Sequence, residues 1–218
     1  MREETSSWRA ADGARLHARV WLPAGEPAAA VAVVHGLGEH IGCYAALAEA
    51  FTAAEFAVVG CDLRGHGRTA GVRGHAPGFP VLLDDLALLH AETARRCPNR
   101  PLFLYGHSLG GSLALNYVLR RRPALAGAVV VAPALRPGTP PARWKYLLGR
   151  LCYHGCPSAT FDNGIADPGI TSSDPLRHDR ISARLGVDLL DYGAWALAHA
   201  GEWSLPLLLL QGSDDRVI

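Results

Sequence analysis

Leu102-Phe103-Leu104-Tyr105-Gly106-His107-Ser108-Leu109-Gly110-Gly111-Ser112-Leu113-Ala114-Leu115 is the stretch that decides the fold. Its first four residues read as a buried strand, the G-x-S-x-G pentapeptide as a sharp turn, and the rest as the start of a helix. Such a corner is a nucleophile elbow, which lifts one serine Oγ above the edge of a sheet. Gly106 and Gly110 are required because a side chain at either position would collide with backbone at so tight a bend. Ser108 is the first catalytic candidate.

Working outward, short apolar runs alternate with helical patterns, which predicts an α/β fold with a mostly parallel central sheet and helices on both faces. Toward the N-terminus, Leu16, Ala18, Val20 and Leu22 alternate as in an antiparallel strand, joined through Ala11-Asp12-Gly13 to a first strand around Trp8. The continuous apolar run 28–34 reads as a buried central strand ending in the loop His35-Gly36-Leu37-Gly38. A helix through Tyr44, Leu47, Ala48 and Phe51 follows, then a strand at 56–59 and a helix over 81–97 that stops at Pro98. Beyond the elbow helix, which runs to about Arg122, comes a strand at 128–131. Alternation resumes at 205–210 with Leu207-Leu208-Leu209-Leu210.

Between them the rhythm changes. Prolines and glycines cluster at 137–141 and again at Pro168-Gly169, and helical patterns are predicted at 143–153 and 192–203. This divides the chain into an α/β core, 1–135 with 205–218, and a helical cap insertion, 136–204, over the strand ends. No repeats or low-complexity tracts interrupt it.

Bulk properties narrow the function. At 218 residues with 49% hydrophobic and 19% charged, the composition is globular. A formal net charge of +1 gives no electrostatic case for nucleic acid, and Arg120-Arg121-Arg122 reads as a solvated helix end. The N-terminus lacks the apolar core of a signal peptide, and no window has the length of a membrane span. Five cysteines without a framework spacing point to reduced thiols in a cytoplasm. Oligomeric state is left open.

Serine is a weak nucleophile at neutral pH, so Ser108 needs a base and an oriented acid, in the chain order Ser, acid, His. The acid candidate lies in Gln211-Gly212-Ser213-Asp214-Asp215, at the end of the last strand; Asp215 is preferred and Asp214 is the reserve. The oxyanion hole needs backbone N–H donors, expected from Leu109 and from Leu37. His35, Gly36, His107, Gly106 and Gly110 are supporting residues. Glu39, His40, Asp62, Arg64 and His66 read as braces for their loops. Cys152, His154 and Cys156 have zinc-ligand character but no second cluster to complete a site, so neither metal nor cofactor is expected. Trp144, Leu147, Leu148 and Leu151 form an apolar face that packs, lines an acyl pocket or touches a lipid surface.

Five segments together carry a family resemblance: His35-Gly36-Leu37-Gly38-Glu39-His40, Asp62-Leu63-Arg64-Gly65-His66-Gly67-Arg68-Thr69, Gly106-His107-Ser108-Leu109-Gly110-Gly111, Ser173-Asp174-Pro175-Leu176 and Leu210-Gln211-Gly212-Ser213-Asp214-Asp215-Arg216. In their order and spacing the chain resembles the monoacylglycerol lipase and lysophospholipase branch of the α/β-hydrolase superfamily, which includes serine aminopeptidase-like members. The resemblance implies a serine hydrolase that cleaves a small carboxylic ester bearing an acyl chain, with nucleophile at Ser108, acid at Asp215 and oxyanion donors at Leu37 and Leu109. Epoxide hydrolase and dehalogenase chemistry is disfavoured, since those relatives carry aspartate where Ser108 sits.

The sequence departs from the pattern at one point. The family's base is a histidine a few dozen residues after the acid, whereas all ten histidines here (17, 35, 40, 66, 75, 90, 107, 154, 178 and 199) precede Asp215. His107 is expected to point away from Ser108, because successive side chains diverge across an elbow. The expectation is therefore a C-terminally truncated chain, lacking the catalytic histidine and the last strand and helix. Its Leu207–Leu210 edge would be bare and prone to aggregation. The alternatives are a catalytically impaired fragment or pseudoenzyme, and an aminopeptidase or thioesterase of the same fold.

Overall fold

The computed structural model describes residues 1–138, 143–164, 173–215 and 217–218. Among the described residues seven strands form one sheet: β1 (Arg2–Arg9), β2 (Arg15–Leu22), β3 (Ala29–Val34), β4 (Phe56–Cys61), β5 (Leu102–His107), β6 (Gly127–Val131) and β9 (Leu207–Leu210). Their order is β1-β2-β4-β3-β5-β6-β9. The β1–β2 and β2–β4 pairs are antiparallel, and the rest of the sheet is parallel. Helices α1 (Ala45–Ala53), α2 (Phe79–Arg96) and α3 (Leu109–Arg121) connect the parallel strands.

β3 shows why its sequence is continuously apolar. Ala30, Ala32 and Val34 enter the larger core, with α2 and α3, while Val31 and Val33 enter a second core with Trp21, Tyr44 and Ala48 on the opposite face. Alternating side chains are thus buried on both sides of the sheet, as a central parallel strand requires.

The insertion between β6 and β9 contains α4 (Arg143–Gly155), the two-stranded hairpin β7 (Thr160–Asp162) and β8 (Arg180–Ser182), and α5 (Ala183–Ala198). The pattern at 192–203 misplaced α5. It starts at Ala183, where Ser182 caps it by accepting the Leu185 N–H, and it ends before Trp203. Aromatic spacing at Tyr192, Trp195 and Trp203 drew the boundary too late, since Gly186 dilutes the helical signal ahead of it. The hairpin was not anticipated; its strands have three residues each, too few to show alternation. The residues Pro140, Pro141, Pro168 and Gly169 used to bound the insertion lie outside the described residues.

α5 is anchored to the core. Leu185 belongs to the main core, Phe79 stacks on Tyr192 with ring centroids 4.2 Å apart, and Asp188 accepts the Phe79 N–H and the Tyr153 hydroxyl. Among the described residues β9 pairs with β6 alone. Its four leucines are 40–54% exposed.

Candidate active site

Ser108 stands between β5 and α3 with φ 52° and ψ −118°. A non-glycine residue in that region carries strain of about 1–3 kcal/mol, so the surroundings must impose it. The Ser108 N–H donates to Val131 O at 3.0 Å, and its carbonyl accepts the N–H groups of Ser112 and Ala134, both at 3.0 Å. The flanking glycines are a steric necessity. A Cβ on Gly106 would lie 2.4 Å from Gly110 O, and one on Gly110 would lie 2.2 Å from Val34 O. Leu109 opens α3, so its N–H has no acceptor one turn back in the helix and points out of the positive end of the dipole.

The loop after β3 comes up beside this corner. A Cβ on Gly36 would sit 3.3 Å from Ser108 Cβ. His35 is fully buried; its Nδ1–H donates to Gly36 O at 2.8 Å and its Nε2 accepts the Leu63 N–H at 2.9 Å. Burial holds this ring below the ordinary histidine range, hence neutral. Among the described residues the Leu37 N–H has no acceptor.

Glu39 ties the two halves together. Its Oε2 accepts the Gly36 N–H at 2.9 Å and the Tyr44 hydroxyl at 2.7 Å, and lies 3.3 Å from His107 Nδ1. Burial pushes the Glu39 carboxyl up, but His107 and Tyr44 outweigh it and bring it down to about 2. One carboxylate therefore holds both the loop that carries Leu37 and the residue before Ser108. Its brace role was anticipated; its reach to His107 and Tyr44 was not, because only the fold brings these positions together.

The insertion closes on this loop from the other side. Gly38, at φ 75°, accepts the His178 N–H at 3.0 Å, and a Cβ there would be 2.1 Å from His178 O. His40 Nε2 is 2.7 Å from Asp174 Oδ2, and Arg177 is 3.5 Å from Glu39. Asp62 braces the same region, accepting the Ile41 and Arg68 N–H groups, and Arg64 is buried between Asp85 and Asp12. His66 donates from Nδ1 to Arg64 O and packs against His178 at 4.6 Å.

Asp215 lies in the loop after β9. Its Oδ1 accepts the Val217 and Ile218 N–H groups at 2.9 and 3.1 Å, and its Oδ2 accepts from Gln211 Nε2 at 2.9 Å. These bonds, the backbone ones foremost, hold the carboxyl below its ordinary range. Among the described residues no histidine nitrogen is hydrogen-bonded to Ser108 or Asp215. The His107 ring faces Glu39 and Tyr44, the His178 backbone is bound to Gly38, and His199 Nδ1 donates to Trp195 O.

A cavity of about 100 Å³ lies over Ser108 and is lined by Leu37, Leu109, Leu135, Leu189 and Ile218. A second, of about 430 Å³, lies between α4, the hairpin and α5, and Leu190 lines both. No helix among the described residues is long and apolar enough to cross a membrane.

A serine on a strained strand-to-helix corner above a mostly parallel sheet defines an α/β-fold serine hydrolase. The chain belongs to the serine aminopeptidase, S33 family, whose pattern its residues 25–218 match. It is 35% identical to an abhydrolase domain-containing protein of Dictyostelium discoideum, over 100% of this chain and 24% of that one. It is 32% identical to the monoglyceride lipase of Rattus norvegicus, over 95% of this chain and 72% of that one. The crystal structure of Paleococcus ferrophilus monoacylglycerol lipase superimposes with a TM-score of 0.82 at 31% identity, covering 93% of this chain and 79% of that one.

Proposed function

We propose that the chain cleaves the carboxylic ester of a monoacylglycerol- or lysophospholipid-like molecule through an acyl-enzyme on Ser108. One observation carries this reading: Ser108 and the two candidate donor residues, Leu37 and Leu109, line a single apolar cavity. Ser108 Oγ attacks the ester carbonyl carbon, and the Leu37 and Leu109 N–H groups hold the developing oxyanion. The alcohol leaves with a proton, and water then releases the acyl group. Asp215 is the residue to orient the base in this scheme.

The cavity over Ser108 is smaller than the roughly 300–1,000 Å³ of a ligand pocket, whereas the one beyond Leu190 falls within that range. The acyl chain accordingly runs past Leu190 into the insertion, and residues 136–204 serve as a cap over the strand ends. Trp144, Leu147, Leu148 and Leu151, all exposed on α4, supply a face for transient contact with the lipid surface that holds the substrate. The odd cysteine count supports a reducing cytoplasm as its compartment.

Hydrolysis of a monoacylglycerol, a lysophospholipid and an aminoacyl anilide, each by the parent chain and Ser108→Ala, tests the reading. Turnover of either lipid ester that vanishes in Ser108→Ala is the expected result; turnover of the anilide alone would move the assignment to an aminopeptidase. The second reading, a catalytically impaired hydrolase, rests on the arrangement at Ser108, where no histidine nitrogen is hydrogen-bonded among the described residues. It predicts that none of the three is turned over.

A further inference from the structure

We propose that His40, Cys43 and Asp174 form a site for one zinc-class divalent cation, outside the cavity over Ser108. One ligand atom from each lies within 4.8 Å of the other two, and His40 Nε2 and Asp174 Oδ2 are 2.7 Å apart. A tetrahedral ion with bonds of about 2.0–2.3 Å spaces its ligand atoms roughly 3.3–3.7 Å apart, so small side-chain adjustments within this cluster satisfy it. Imidazole, thiolate and carboxylate together suit zinc and its neighbours better than calcium or magnesium, which prefer oxygen throughout.

The cluster is held as a ligand set has to be. His40 caps the short helical turn Ile41–Tyr44, and Cys43 follows within that turn. The turn is fixed by Asp62, which accepts the Ile41 N–H at 2.8 Å. The Oδ1 of Asp174 accepts the Leu176 N–H at 3.0 Å, which aims Oδ2 at His40. His40 is buried and Cys43 is open to solvent, so a cation has an entry path and room for a water as fourth ligand.

Binding has a cost and a proton balance. The Cys43 thiol proton leaves for solvent, and the imidazole proton that faces Asp174 moves from Nε2 to Nδ1. The neutral imidazole then carries its proton on Nδ1, giving up the 3.1 Å bond that Nδ1 accepts from the Gly42 N–H. In return the ion joins the loop that carries Leu37 to the 173–178 segment of the insertion. Such a link sets the stiffness of that loop from outside the cavity. It stands whether or not Ser108 is an active nucleophile.

Cobalt(II) titration of the full chain tests the site, because a thiolate ligand gives cobalt a near-ultraviolet charge-transfer band. Cys152 and Cys156 on α4 are a second possible source of thiolate, so the titration is repeated on Cys152→Ser/Cys156→Ser. The expected result is one cobalt per chain with the band retained in that double variant, lost in Cys43→Ser, and accompanied by a melting midpoint that rises with cobalt concentration. Asp174→Asn should weaken uptake at least about tenfold, as losses around metal ligands do. Cys43 is exposed, so circular dichroism of Cys43→Ser should match the parent. Absence of the band at excess cobalt, or its survival in Cys43→Ser, would overturn the proposal.

Discussion

The two walls of the candidate site are built in different ways. On one side Ser108, the loop 35–40 and the start of α3 sit over the centre of the sheet, cross-braced by Glu39, Tyr44, His107 and the Asp174–His178 segment. On the other, Asp215 hangs from β9, whose leucines are open to solvent and whose outer edge is unpaired among the described residues. Asp215 is held by bonds within its own loop, not by the body of the fold. The geometry at Ser108 is therefore imposed by the core, while the position of Asp215 depends on β9 and its own loop.

The largest effect expected from breaking this contrast is at Ser108 itself. Ser108→Ala should abolish covalent labelling by a fluorophosphonate, read by intact mass, with unchanged thermal unfolding. On the same wall, Gly110→Ala should cost about 3–5 kcal/mol in denaturant unfolding, because the new Cβ meets Val34 O at 2.2 Å where neither backbone can yield. Leu208→Ala on β9, half-exposed, should cost under about 1 kcal/mol in the same experiment. Equal costs at the two positions would erase the distinction.

Glu39 gives a pH signature. Its folded-state carboxyl at about 2 lies below the ordinary 4.5, so its contribution is fully present above that ordinary value and is lost as pH falls toward 2. Glu39→Gln should remove stability on the order of 3 kcal/mol at pH 7 and flatten the decline between about pH 4.5 and 2. Urea unfolding across that window checks both. Asp215→Asn tests the other wall: the proposed reaction, with Asp215 orienting the base, predicts a drop of about 10³ or more in the labelling rate of Ser108, whereas a change of less than about threefold would favour the impaired reading.

The same contrast decided what the sequence could disclose. The elbow was legible because its strand, its glycines and its helix are contiguous, and each is demanded by local sterics. β3 was legible because burial on both faces leaves no polar residue in the run. The bracing of Glu39 by Tyr44 and His107, and the contact of His40 with Asp174 across 134 positions, depend on which loops the sheet order brings together. Composition holds no trace of that. The start of α5 was missed for a local reason, Gly186, which weakens its periodicity, and the 3-residue strands of the hairpin were too short to register.

The most direct test of Ser108 as the nucleophile presented by the core is the site of fluorophosphonate labelling at pH 7, mapped by peptide mass spectrometry in the parent chain and in Ser108→Ala. The account predicts a single adduct, on Ser108, that is lost in Ser108→Ala. An adduct elsewhere would contradict the placement of the nucleophile. Absence of any adduct on Ser108 would contradict its assignment as the activated nucleophile.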